Sequence, residues 1–185
     1  MVDYAIVIQS DKELTGQIRQ SLQRFSDDHQ NINHTAYPAL KVRPIVISVE
    51  AKVQGAGKYE LMVQLSIWVA AHFKKLEMLR EAKSTDISLP LISIDGHDWR
   101  LHMACQGADG SIVSVLLCAR LDAKVLTLVV TQSIVGKQNI GGTSSIVDIY
   151  KLLSFLRILA HWSHEEYLPW FKDNILGTVA FPDAC

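Results

Sequence analysis

Arg43-Pro44-Ile45-Val46-Ile47-Ser48-Val49-Glu50-Ala51-Lys52 is a β-branched apolar run that ends in a carboxylate and an amine two residues apart. Side chains alternate faces along a strand, so Glu50 and Lys52 point the same way. The run before them is apolar on both faces, the pattern of a central strand buried on both sides. Pro44 opens it, where a missing N–H is tolerated. Charges are rarely buried unless paired or bound to a metal. An acid and a base delivered together at the end of a buried strand are the residue types of a metal-dependent phosphodiesterase site, the carboxylate for a divalent ion and the amine for water or phosphate. A solvated ion pair at a strand end is the plain alternative.

Working outward toward the N-terminus, Val2 to Ile8 reads as a strand with Asp3 near its start. Ser10 or Asp11 can cap a helix beginning at Lys12. Leu14, Ile18, Leu22 and Phe25 give that helix an apolar stripe. Ser26 to Pro38 reads as a polar loop, with His34 a loop residue rather than a ligand. Toward the C-terminus, Val53 to Gly57 is a flexible connection without the Lys-Ser/Thr ending of a phosphate loop. A long helix is expected from Lys58 to Lys83, on the stripe Leu61, Leu65, Trp68, Phe73, Leu76 and Leu79. Gln64 lies on its flank, either a boundary residue or one that reaches the end of the Glu-x-Lys strand. Lys74, Lys75, Arg80 and Lys83, interleaved with Glu77 and Glu81, read as a solvated helix face, with phosphate contact as the alternative.

Leu89 to Ile94 is a strand, Asp95-Gly96 a turn signal, and Trp99 to Cys105 the returning partner. Ser111 to Cys118 and Val125 to Thr131 complete an expected antiparallel meander. His97, Asp98 and His102 read as a polar hairpin tip, with a site made from them as the alternative. Ile140 to Ser144 breaks the pattern, and Thr143 or Ser144 caps a helix from Ser145 to Trp162. Tyr167 to Phe171 is an aromatic closing segment. No repeat or linker divides the chain, so residues 1–185 are read as a single domain. Strand, helix, strand, helix, meander and helix in that order are consistent with an α/β or α+β sandwich.

Composition sets the limits. The net charge of −1 over 185 residues lacks the basic excess of a dedicated nucleic-acid binder. Three widely spaced cysteines suggest neither a zinc site nor a disulfide framework, and point to a reducing, intracellular setting in cytoplasm or nucleus. The seven histidines form no His-x-x-x-His pair. No run approaches the about 20 apolar residues of a membrane span, so no membrane is expected. The start, Met1-Val2-Asp3-Tyr4, does not look like a signal peptide.

Four segments in order carry a resemblance: Arg43 through Lys52, Gln64 through Phe73, Asp95 through Trp99, and Ile149 through Leu153 with Tyr167 through Phe171. Together, over about residues 40–172, they resemble the PD-(D/E)XK nuclease-like domain of uncharacterised fungal proteins. The resemblance implies a restriction-endonuclease-like core, a mixed central sheet flanked by helices. It implies catalytic roles for Asp3, Glu50, Lys52 and Gln64. Asp3 and Glu50 would be metal ligands, with the Ala51 carbonyl available as a third, for Mg2+ or Mn2+. Lys52 would orient water or stabilise charge on phosphate. Gln64 resembles the helix glutamine that some exonuclease branches place beside this site. The chain departs from the family pattern in three ways. The usual N-terminal helix and first strand are missing before Asp3, Val2 stands where the family has Pro, and a long insert separates the Asp strand from the Glu-x-Lys strand. The expected function is divalent-metal-dependent phosphodiester hydrolysis of nucleic acid. The alternative is an inactive or repurposed nuclease-like fold that binds a partner or small molecule. The open edge at Val2 to Ile8 suits homo-oligomer formation.

Overall fold

The structure, a computed structural model, describes residues 2–55, 57–80, 87–106, 112–114 and 138–177. Its elements in chain order are β1 (Tyr4–Val7), α1 (Lys12–Leu22), β2 (Ile45–Lys52), α2 (Lys58–Arg80), β3 (Leu89–Asp95), β4 (Asp98–Gln106), β5 (Ile112–Ser114), β6 (Gln138–Gly142) and α3 (Ile146–Trp162). Helical turns continue from Ser163 to Leu176. Of the expected strands, Val125 to Thr131 and the ends of Ser111 to Cys118 lie outside the described residues, as do Glu81 and Lys83.

The sheet runs β1-β2-β3-β4-β5, with β6 also paired to β4. β2 and β3 are parallel, and the other pairs are antiparallel. A parallel pair cannot be joined by a tight turn, so α2 makes the crossover between them. This is a mixed sheet flanked by helices, as the sequence led us to expect. β2 is buried from Ile45 to Glu50, which a central strand with both faces covered requires. The α2 stripe Leu61, Leu65, Phe73, Leu76 and Leu79 is buried in the core, with Trp68 packed against it. No helix among the described residues is long and apolar enough to cross a membrane.

Asp11, not Ser10, caps α1: its carboxylate accepts the Leu14 N–H at 2.8 Å. The long loop before β2 is held by Asn33. Its Nδ2 donates to the carbonyls of Leu40 (2.6 Å) and Arg43 (2.9 Å), and its Oδ1 accepts the Ile45 N–H at 2.9 Å. One amide thus closes the loop onto the first residue of β2.

Several expectations are corrected. Ile140 to Ser144 is not simply a break, because Gln138–Gly142 forms β6. Its glycines allow this. A Cβ at Gly141 (φ +124°) would lie 2.6 Å from the Asp148 carbonyl oxygen, and one at Gly142 2.4 Å from that of His97. The cap of α3 is Ser145, whose Oγ accepts the Asp148 N–H at 3.1 Å, rather than Thr143 or Ser144. His102 is not at a hairpin tip; it is buried within β4 and hydrogen-bonded to Ser93 at 2.8 Å. Lys75 is not on a solvated face, because it is buried and its amine donates to the His29 carbonyl at 3.1 Å. Cys105, which its spacing gave no reason to pair, is disulfide-bonded.

Candidate metal and phosphate site

Register decides what meets at the end of β2. Tyr4 lies opposite Val49, so Asp3, just before β1, falls beside Glu50. Two hydrogen bonds lock them together: the Asp3 N–H donates to Glu50 Oε2 at 3.2 Å, and the Ala51 N–H donates to Asp3 Oδ2 at 3.0 Å. Lys52 Nζ lies 3.1 Å from Glu50 Oε1. The Glu50 side chain is 1% exposed and that of Lys52 26%. The alternation read from the sequence therefore holds, and the pair is not a solvated one, since its carboxylate is buried. The hydrogen bond to Glu50 holds the Lys52 amine above its ordinary pKa, and attraction from Glu50, Glu60 and Asp3 adds to the shift. Lys52 is thus a fixed ammonium, suited to stabilising charge and not to accepting a proton.

The helix supplies the next polar groups. Trp68 Nε1–H donates to Ser48 Oγ at 3.0 Å, which registers α2 over β2. A crossover helix runs antiparallel to its strands. One turn toward its start, about 5.4 Å, matches about 1.6 residues of strand at about 3.3 Å each. Gln64 therefore sits over Glu50, and Glu60 over Lys52, in accord with the pull of Glu60 on that amine. Gln64 Oε1 is buried with no hydrogen-bond partner among the described residues. A buried oxygen without a donor asks for an explanation.

The structure brings Asp3, Glu50, Ala51 and Lys52 into one contact set, and the rise along α2 from Trp68 puts Gln64 on the same side. Two carboxylates and an unpartnered amide oxygen are hard oxygen donors, the chemistry Mg2+ and Mn2+ take. Among the described residues no group of three or more His, Cys, Asp or Glu gathers to hold an ion. An ion here would rest on the two acids, the amide or carbonyl oxygens and water, a usual arrangement for Mg2+.

The sequence reading missed the opposite rim. The Asp95 carboxylate, read only as a turn residue, accepts the Gly55 N–H at 2.9 Å and lies 3.6 Å from Arg100 Nη1. The Gly96 N–H donates to the Lys52 carbonyl at 2.9 Å. The end of β3 thus clamps the backbone at Lys52 and again three residues later, at Gly55. Glu60 was also missed, although its spacing of four and eight from Gln64 and Trp68 placed it on their stripe.

A family model described as the PD-(D/E)XK nuclease superfamily matches residues 1–168. No curated protein and no solved structure matches the chain.

Proposed function

The chain belongs to the PD-(D/E)XK nuclease superfamily, and from that premise we propose that it hydrolyses phosphodiester bonds of nucleic acid with a bound Mg2+ or Mn2+. Asp3 and Glu50 hold the ion, with the Ala51 carbonyl and Gln64 Oε1 available to complete its shell. The ion supplies Lewis acidity and an activated water. Lys52, kept protonated by Glu50, offsets the charge that develops on the scissile phosphate, in a half-buried place where an ammonium counts for more than in bulk water.

The observation that carries this reading is the burial of Glu50 beside Asp3. A carboxylate removed from water needs compensation, and the chain gives it one partly exposed amine on Oε1 and a single neutral backbone N–H on Oε2. The test is cleavage of single- and double-stranded DNA and RNA with Mn2+, comparing the natural protein with Glu50→Gln. Cleavage should vanish in the variant, and full activity in Glu50→Gln would overturn the assignment.

One observation favours a second reading, a nuclease-shaped fold repurposed to bind a partner or small molecule. Both oxygens of Glu50 already have partners within the chain, Lys52 and the Asp3 N–H. On that reading the natural protein cleaves none of the four substrates and takes up no Mn2+.

A further inference from the structure

Beyond the acid pair, the same sheet face carries a second cation. Glu50 pairs in register with Ser93, and Ser93 with Arg100. In-register neighbours share a face, and two strand spacings put the Arg100 backbone about 10 Å from that of Glu50. The next row along is Lys52, Asp95 and Asp98.

Arg100 repeats the design of Lys52. Each cation rests on a buried carboxylate, Asp95 for one and Glu50 for the other, and keeps part of its head in water: the Arg100 side chain is 20% exposed. Arg100 Nη2 also meets Asp98 Oδ2 at 3.0 Å, but the Asp98 side chain is 47% exposed. An ion pair with so exposed a partner contributes little, so a stronger acceptor can replace it. Guanidinium has five donors in a planar fork that matches phosphate. The hydrogen bonds from Gly96 to the Lys52 carbonyl and from the Gly55 N–H to Asp95 tie the position of one cation to the other.

We propose that Arg100 is a positioning residue for the substrate strand. It releases Asp98 and holds a backbone phosphate next to the one at Glu50 and Lys52, so that the nucleic acid crosses the sheet from β2 toward β4. This rests on the nuclease reading.

The test is fluorescence anisotropy of a labelled single-stranded oligonucleotide in calcium buffer over a range of salt, with the natural protein, Arg100→Gln and Asp98→Asn. Arg100→Gln should bind about tenfold more weakly, and its salt slope should fall by about 0.7, the share of one phosphate contact on a single strand. Asp98→Asn, which removes the competing carboxylate, should bind more tightly. A merely structural arginine would leave the slope unchanged, and that result overturns the proposal. If Arg100→Gln does not fold, Asp98→Asn decides alone, and unchanged affinity in it overturns the proposal. No binding by the natural protein overturns it too. The nuclease reading is judged separately, by loss of Mn2+ binding and cleavage in Glu50→Gln.

Discussion

Lowering the pH from 7 to 5 should destabilise this protein through two histidines. His34, from the loop before β2, sets its ring edge-on to Trp68 at 4.2 Å between centroids and stacks on His72 at 5.1 Å. Neither ring nitrogen of His34 has a hydrogen-bond partner among the described residues. Burial, then the Lys75 ammonium, pushes His34 down to about 4. Burial, then His34, pushes His72 down to about 3. Both folded values lie below the unfolded value of about 6.5, so the fold favours the neutral rings. Their contribution is fully present above about pH 7 and is lost as pH falls toward the folded values. Between pH 7 and pH 5 each ring costs about 2 kcal/mol, so the pair costs about 4 kcal/mol. In a domain of this size that lowers the melting temperature by roughly 8–16 °C. The assay is thermal unfolding by circular dichroism at both pH values, for the natural protein, His34→Leu, His72→Leu and the double variant. Each single variant should keep about half of the drop, and the double variant little of it. An undiminished drop in the double variant would refute the reasoning.

Three further outcomes follow from particular contacts. Asn33→Ala strands two carbonyls and one N–H at the start of β2, and should cost about 2–4 kcal/mol in urea unfolding; a loss under about 1 kcal/mol would mean water replaces the amide. Gly96 has φ +63°, and a Cβ there would come within 2.7 Å of Gln54 Cβ, whereas a Cβ at Gly55 (φ +78°) meets nothing within 4 Å. Gly96→Ala should therefore destabilise by about 1–3 kcal/mol and more than Gly55→Ala, and equal losses would contradict the close approach. Lys52→Met should leave Mn2+ affinity equal or higher, since Glu50 loses its competitor, while cleavage falls by about a hundredfold or more; loss of Mn2+ binding instead would make Lys52 a support of the acid pair.

The parts legible in the sequence are those where one periodicity dominates. β2 reads as a doubly buried strand because only the small Ser48 interrupts its apolar residues before Glu50. α2 reads as a helix because its leucines recur at helical spacing. β6 was hidden because its strand character rests on Gly141 and Gly142, which are needed for close approach to α3 and His97 and look like a break when read alone. The burial of Lys75 and His72 depends on the loop folding back over α2, a contact distant in sequence. The meeting of Asp3 with Glu50 came from a resemblance and not from spacing, because cross-strand neighbours leave no local signal. The Arg100 row was within reach. The two-residue turn Gly96-His97 pairs Asp95 with Asp98, and counting back sets Ser93 against Arg100.

The central claim is that Asp3 and Glu50 form a working site for a divalent ion. Isothermal titration of Mn2+ into the natural protein and Glu50→Gln, with circular dichroism to establish that the variant is folded, tests it most directly. The account expects saturable binding to the natural protein that disappears in the variant. No binding to either, or equal binding to both, would contradict it.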